Sequence, residues 1–134
     1  AYALPTGLVA HWRDTAEAAV RAAQAAPRDG YVHTQEHVLS AADFIVTLVV
    51  EATIHHLDLI AELADAVPPS AEGLQLTRCT ITGLADLAGL TDLPIDRLGW
   101  DDATAVLKTT GRLPLTEGER ATLGPPAERL PLIR

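Results

Sequence analysis

The sequence predicts an all-α fold, and three observations carry that expectation. Alanine and leucine together supply about a third of the chain, while β-branched and aromatic runs are sparse; both facts favour helix over strand. Apolar residues recur at three- and four-residue steps along several stretches. Residues that start and stop helices bound those stretches. At 134 residues the chain has room for one core, so a single domain over 1–134 is expected. With 48% hydrophobic and 21% charged residues it is too apolar to remain disordered.

The first helix is expected over 7–26, after Pro5 and Thr6, with Leu8, Trp12, Ala16, Ala19 and Ala23 on one face and Pro27, Asp29 and Gly30 stopping it. Residues 31–39 alternate only weakly, which suits a short hairpin or a loop. Ser40 stands where a cap is needed for the next helix, and Asp43 stands where a capping box places Glu. That helix, from 41 to about 64, is the longest and most apolar, and Val67, Pro68 and Pro69 end it. Ser70 caps a third helix reaching about residue 88, with Leu74, Ile81, Leu84 and Leu87 as its apolar side and Gly89 closing it. Pro94 and Gly99 mark a loop, after which Asp101 caps a short helix that runs to Thr110 and stops at Gly111. Thr116 and Glu119 form a capping box for a last short helix that ends at Gly124 and Pro125.

Eighteen acidic and ten basic residues give a net charge of -8. That balance repels phosphate backbones and anionic lipid, so neither nucleic acid nor a membrane surface is an expected partner. The longest apolar stretch, 41–54, carries Asp43, Thr47 and Glu51 and falls short of the roughly 20 residues that a spanning helix needs. The single cysteine, Cys79, excludes an internal disulfide and a Cys-only zinc site, and it fits a cytoplasmic location. A buried, inert thiol is expected there, since Arg78 is its one basic neighbour. The chain has no methionine and opens at Ala1 in what reads as a loop, so an N-terminal portion is expected upstream.

The chemistry concentrates on the second helix. At 100° per residue, Phe44, Thr47, Glu51, His55, Asp58 and Glu62 share one narrow stripe, and most of the remaining circumference is apolar. A helix of that kind sits centrally in its bundle, which turns the stripe toward an internal cavity where ionisable groups need a partner or a metal. Glu51 and His55 lie one turn apart, so a carboxylate oxygen and an imidazole nitrogen can reach one ion at about 2.0 to 2.2 Å. Asp58, three residues past His55, suits the orienting of that imidazole from behind the ligands, or it is a simple helix acid. The competing reading makes the whole stripe a solvated face. His56 lies 100° away and is expected to be packed or hydrogen-bonded, His33 and His37 to be exposed, and His11 to lie outside the site.

The segment Val50-Glu51-Ala52-Thr53-Ile54-His55-His56-Leu57-Asp58-Leu59 resembles the Glu-x-x-x-His-x-x-Asp segment of the mycothiol-dependent maleylpyruvate isomerase family, part of the DinB-like group of metal-binding four-helix bundles. A second stretch, from Thr110-Gly111-Arg112-Leu113-Pro114-Leu115-Thr116-Glu117-Gly118-Glu119-Arg120 through Leu123-Gly124-Pro125 to Arg129-Leu130-Pro131-Leu132, resembles the C-terminal tail common in these proteins. The resemblance implies an up-down bundle with short C-terminal helices and a divalent metal, zinc by expectation, held by one His from an early helix and by the Glu and His of the motif. Glu51 and His55 match the latter two positions; the first His has no match. The early helices are therefore expected upstream of Ala1, or a second copy in a homodimer completes the bundle, and apolar surface along the 41–64 helix is expected to stay open, Val46, Val49 and Ile60 included. The resemblance further implies mycothiol, a low-molecular-weight thiol, as co-substrate for isomerisation of, or S-transfer to, a small electrophile at open metal positions. The alternative is a non-catalytic helical module that binds a ligand or partner with a structural metal or none.

Overall fold

The computed structural model describes residues 4–90 and 95–133. The fold is all-α, with helices α1 (Pro5–Ala25), α2 (Ala41–Ile60), α3 (Ala71–Leu87), α4 (Asp102–Thr109) and α5 (Glu117–Leu123), consistent with a DinB-like fold with short C-terminal helices. A two-stranded hairpin, β1 (Tyr31–Thr34) and β2 (His37–Ser40), separates α1 from α2, and short 3-10 turns occupy Ile95–Leu98 and Pro125–Arg129. Among the described residues no helix is long and apolar enough to cross a membrane. The chain divides within α2 into two compact units, Ala1–Ile45 and Val46–Arg134.

In the first unit, α1 opens on Pro5, whose missing N–H costs nothing in the first helical turn. None of its residues is buried; Leu8, Trp12 and Val20 are all exposed. The weak alternation of 31–39 resolves as a hairpin, with Tyr31 paired to Ser40 and Thr34 to His37. Its tight turn holds Gln35 at φ 45° and Glu36 at φ 66°, a geometry that normally favours Asn-Gly. The Ser40 cap forms as expected: its Oγ accepts from the Asp43 N–H at 3.0 Å and donates to Asp43 Oδ2 at 2.7 Å.

In the second unit the core gathers Val50, Ile54 and Leu57 from α2, Ile81 from α3 and Val106 from α4, with Leu132 and Ile133 packed against it. Thr53, a polar break in the apolar arc of α2, is buried against α3, where a Cβ on Gly73 would stand 3.0 Å from its Oγ1. Three sequence expectations change. Helix α2 ends at Ile60 instead of about 64: bonds of the i→i+3 type take over at Ala61 and Leu63, and His56 Nε2 holds the Val67 carbonyl at 3.0 Å, which folds the chain back early. The buried row of α3 is Gly73, Thr77, Ile81 and Ala85, while Leu84 and Leu87 are exposed; small residues at 73, 77 and 85 let the backbones approach where leucines would hold them apart. Cys79 is exposed, since it lies on the far side of the helix from Thr77 and Ile81.

The caps of the later elements match expectation. Ser70 Oγ accepts from the Gly73 N–H, Asp101 Oδ1 from the Thr104 N–H, and Thr116 with Glu119 completes a capping box. Gly89, Gly99, Gly111 and Gly124 all take positive φ. Pro94 lies outside the described residues. Along α2, Val46, Val49 and Ile60 are only half-buried, and Leu48 and Leu59 are exposed.

Candidate functional site

Helix α2 presents Glu51, His55 and Asp58 on one face, as their spacing dictates. His55 Nε2 lies 3.3 Å from Glu51 Oε2, and His55 Nδ1 lies 3.6 Å from Asp58 Oδ2. The three therefore form a row with the imidazole in the middle and a carboxylate at each ring nitrogen. The face does not look into an enclosed cavity: the Glu51 and His55 side chains are 63% and 67% exposed. The reason is the burial of Val50, Thr53, Ile54 and Leu57, an arc centred more than 100° from the stripe, which leaves Glu51 and His55 outside the packed side.

Two donors bound at 2.0 to 2.2 Å in tetrahedral geometry stand about 3.3 to 3.5 Å apart. The Glu51–His55 separation of 3.3 Å fits one such edge. Among the described residues no group of three or more His, Cys, Asp or Glu side chains could hold a metal ion. No buried side-chain nitrogen or oxygen among the described residues lacks a hydrogen-bond partner.

Asp58 has a partner that the sequence reading did not assign. Arg112 donates from Nε to Asp58 Oδ1 at 2.6 Å and from Nη2 to Asp58 Oδ2 at 2.8 Å, a forked pair. The Arg112 hydrogen bonds hold the Asp58 carboxyl below its ordinary value, and Asp58 raises the guanidinium in return, with Glu51 adding its charge. Arg112 is aimed by the end of α4. Gly111 turns the chain at φ 75°, and the N–H groups of Gly111 and Arg112 bond back to the carbonyls of Lys108 and Leu107 at 3.3 and 2.8 Å. That is a Schellman ending, in which the glycine terminates the helix and directs the next residue. A Cβ at position 111 would also crowd Pro131 at 3.1 Å, which adds to the preference for glycine there. The readable signal was Gly111 followed by Arg112; which carboxylate the arginine would meet was not readable.

A second polar cluster stands apart from this face. Lys108, only 7% exposed, donates to Glu119 Oε2 at 2.6 Å and lies 5.5 Å from the centre of the Trp100 ring, while Trp100 Nε1 donates to Glu119 Oε1 at 2.7 Å. Lys108, the Thr116 N–H and Trp100 together hold the Glu119 carboxyl down to about 2. Of the other histidines, His56 is half-buried and bonded to Val67, His33 and His37 are exposed, as expected, and His11 is exposed as well.

The fold and this face define an all-α chain with an exposed carboxylate–imidazole pair on a long helix. Residues 2–60 match the family model described as mycothiol maleylpyruvate isomerase N-terminal domain. That match supports the family resemblance of this segment, and it includes Glu51, His55 and Asp58. No curated protein and no solved structure gives a significant match.

Proposed function

We propose that the protein binds a divalent metal, zinc, through Glu51 and His55, and that it promotes isomerisation of, or S-transfer to, a small electrophile with mycothiol or a similar thiol. The observation that carries this reading is the 3.3 Å Glu51–His55 edge inside a segment that matches the family model. Asp58 faces the other nitrogen of His55 and orients the ring. A divalent ion held there would make a thiolate available at neutral pH. Glu51 and His55 would hold the ion, and the exposure of both side chains gives a thiol and an electrophile access. Further donors and the cover for the open side of α2 would come from a further segment or from a second copy, in the cytoplasm.

The alternative, a non-catalytic helical module with a structural metal or none, draws support from the lack of a third donor among the described residues. Metal content per chain, followed by loss of free thiol in the presence of an electrophile, separates the two. His55→Ala is expected to lose metal and thiol-dependent turnover together. Asp58→Asn should weaken zinc binding about 10- to 100-fold. His56→Ala should keep its metal and lose stability, because that ring anchors Val67. Metal retained by His55→Ala but lost by His56→Ala would overturn the assignment.

A further inference from the structure

We propose that the pocket between α4, α5 and the C-terminal tail binds a small monoanion, a short-chain aliphatic carboxylate, through Arg120 and Lys108. The proposal is independent of the reading of Glu51 and His55: it shares no residue with that face and needs no metal.

The site is an open pocket of about 170 Å³, with Leu113 and Leu115 from the stretch between α4 and α5 on one side and Leu130 and Pro131 from the tail on the other. Pockets for drug-sized molecules start at about 300 Å³, so this one takes only a small ligand. Its walls are already fixed. The Leu132 N–H bonds to the Thr109 carbonyl at 2.9 Å, and Arg129 donates from Nη2 to the Ala88 carbonyl at 3.0 Å, which ties the tail down. Across from it, the capping box of α5 and the Lys108 bond to the Pro114 carbonyl at 3.3 Å hold the stretch before α5.

The charges decide the class of ligand. Arg120 and Lys108 line the pocket, and no carboxylate does. Glu119 balances the charge of Lys108, so the one uncompensated charge is that of Arg120, whose guanidinium has no partner among the described residues. Of the three N–H groups of the Lys108 ammonium, two go to Glu119 and Pro114, and the third has no acceptor among the described residues. The pocket therefore offers one net positive charge and a second donor beside apolar walls. A carboxylate matches that pair, with one oxygen accepting from Arg120 and the other from Lys108 in charge-assisted bonds, while a short apolar tail lies against the leucines and Pro131. Phosphate as a dianion would bring a charge without a counterpart and nothing for those walls to cover.

The experiment is a titration of the full chain with sodium acetate, propionate and butyrate at neutral pH and constant ionic strength, followed by the indole N–H signals in nitrogen–proton NMR. Trp100 reports on the pocket, because its ring lies 5.5 Å from Lys108 Nζ and its N–H bonds to Glu119; Trp12 on α1 serves as the internal reference. Propionate is expected to shift the Trp100 signal saturably with a Kd on the order of 1 mM, and each methylene from acetate to butyrate should tighten binding about threefold. Arg120→Gln should weaken propionate binding about tenfold or more, the usual loss of a hydrogen bond to a charged group. Arg120 is exposed, so the substitution leaves the fold intact, and Arg28→Gln, which removes an exposed cation elsewhere, should bind like the wild type. No saturable shift, an equal shift with inorganic phosphate or sodium chloride, an affinity that does not rise with chain length, or wild-type binding by Arg120→Gln would overturn the proposal.

Discussion

The unit Val46–Arg134 holds two polar clusters built from similar parts and put to opposite uses. Around Glu119, a lysine, a tryptophan N–H and a backbone N–H satisfy one carboxylate, and the lysine is almost fully buried. Around His55, two carboxylates and an arginine lie at the surface, and the outer edge of Glu51 and His55 stays open. The closed cluster engages both oxygens of its carboxylate, and it works as a clasp between α4 and α5. An open cluster contributes little to stability, and its unsatisfied edge is what a ligand can use.

Breaking the closed cluster should give the largest effect. Lys108→Ala is expected to lower unfolding stability by about 2 kcal/mol, because the truncation strips a nearly buried ammonium from its acceptor and its ring contact; urea denaturation measures it, and a loss below that of Arg112→Ala would reverse the ranking. The pH dependence sharpens the same contrast. The folded-state value for Glu119 lies below its ordinary 4.5, so its contribution is complete above pH 4.5 and fades as pH falls toward about 2. The stability gap between wild type and Glu119→Gln should therefore shrink through that window, and an acid titration of both proteins tests it. Asp58, also lowered, should follow the same direction more weakly because solvent screens its pair. Arg112→Ala should cost less than about 1 kcal/mol of stability for that reason. Smallest of all, His55→Ala should leave thermal unfolding within about 0.5 kcal/mol of wild type, as expected at an exposed position without packing. A large loss there would mean that the histidine belongs to the fold.

What could be read from the sequence follows the range of the forces involved. Caps at Ser40, Ser70, Asp101 and Thr116 were legible because a side chain and an N–H a few residues on settle the matter locally. The row Glu51, His55 and Asp58 was legible for the same reason, since helical pitch alone brings them together. Which way a helix faces depends on its neighbours, and there the reading failed: the leucines of α3 looked like its core face, yet Gly73, Thr77 and Ala85 are buried, Gly73 at a close approach to Thr53. The exposure of Glu51 and His55 was missed on the same ground, as near-uniform apolarity around α2 concealed which arc packs. Arg112 was beyond reach because 54 residues separate it from Asp58.

That separation also orders events in time. The clasp joins residues 11 and 19 apart, Lys108 and Trp100 each to Glu119, so its loops close at modest entropic cost, whereas the Arg112 bridge must close a loop of 54. The extra cost of the longer loop is on the order of 1 kcal/mol, and the bridge ends on a half-exposed aspartate that gains little in return. Loop closure therefore favours formation of the clasp before the arginine bridge. In reverse, the bridge is expected to open before the clasp as the folded chain fluctuates, which would loosen the face carrying His55 while α4 and α5 stay joined.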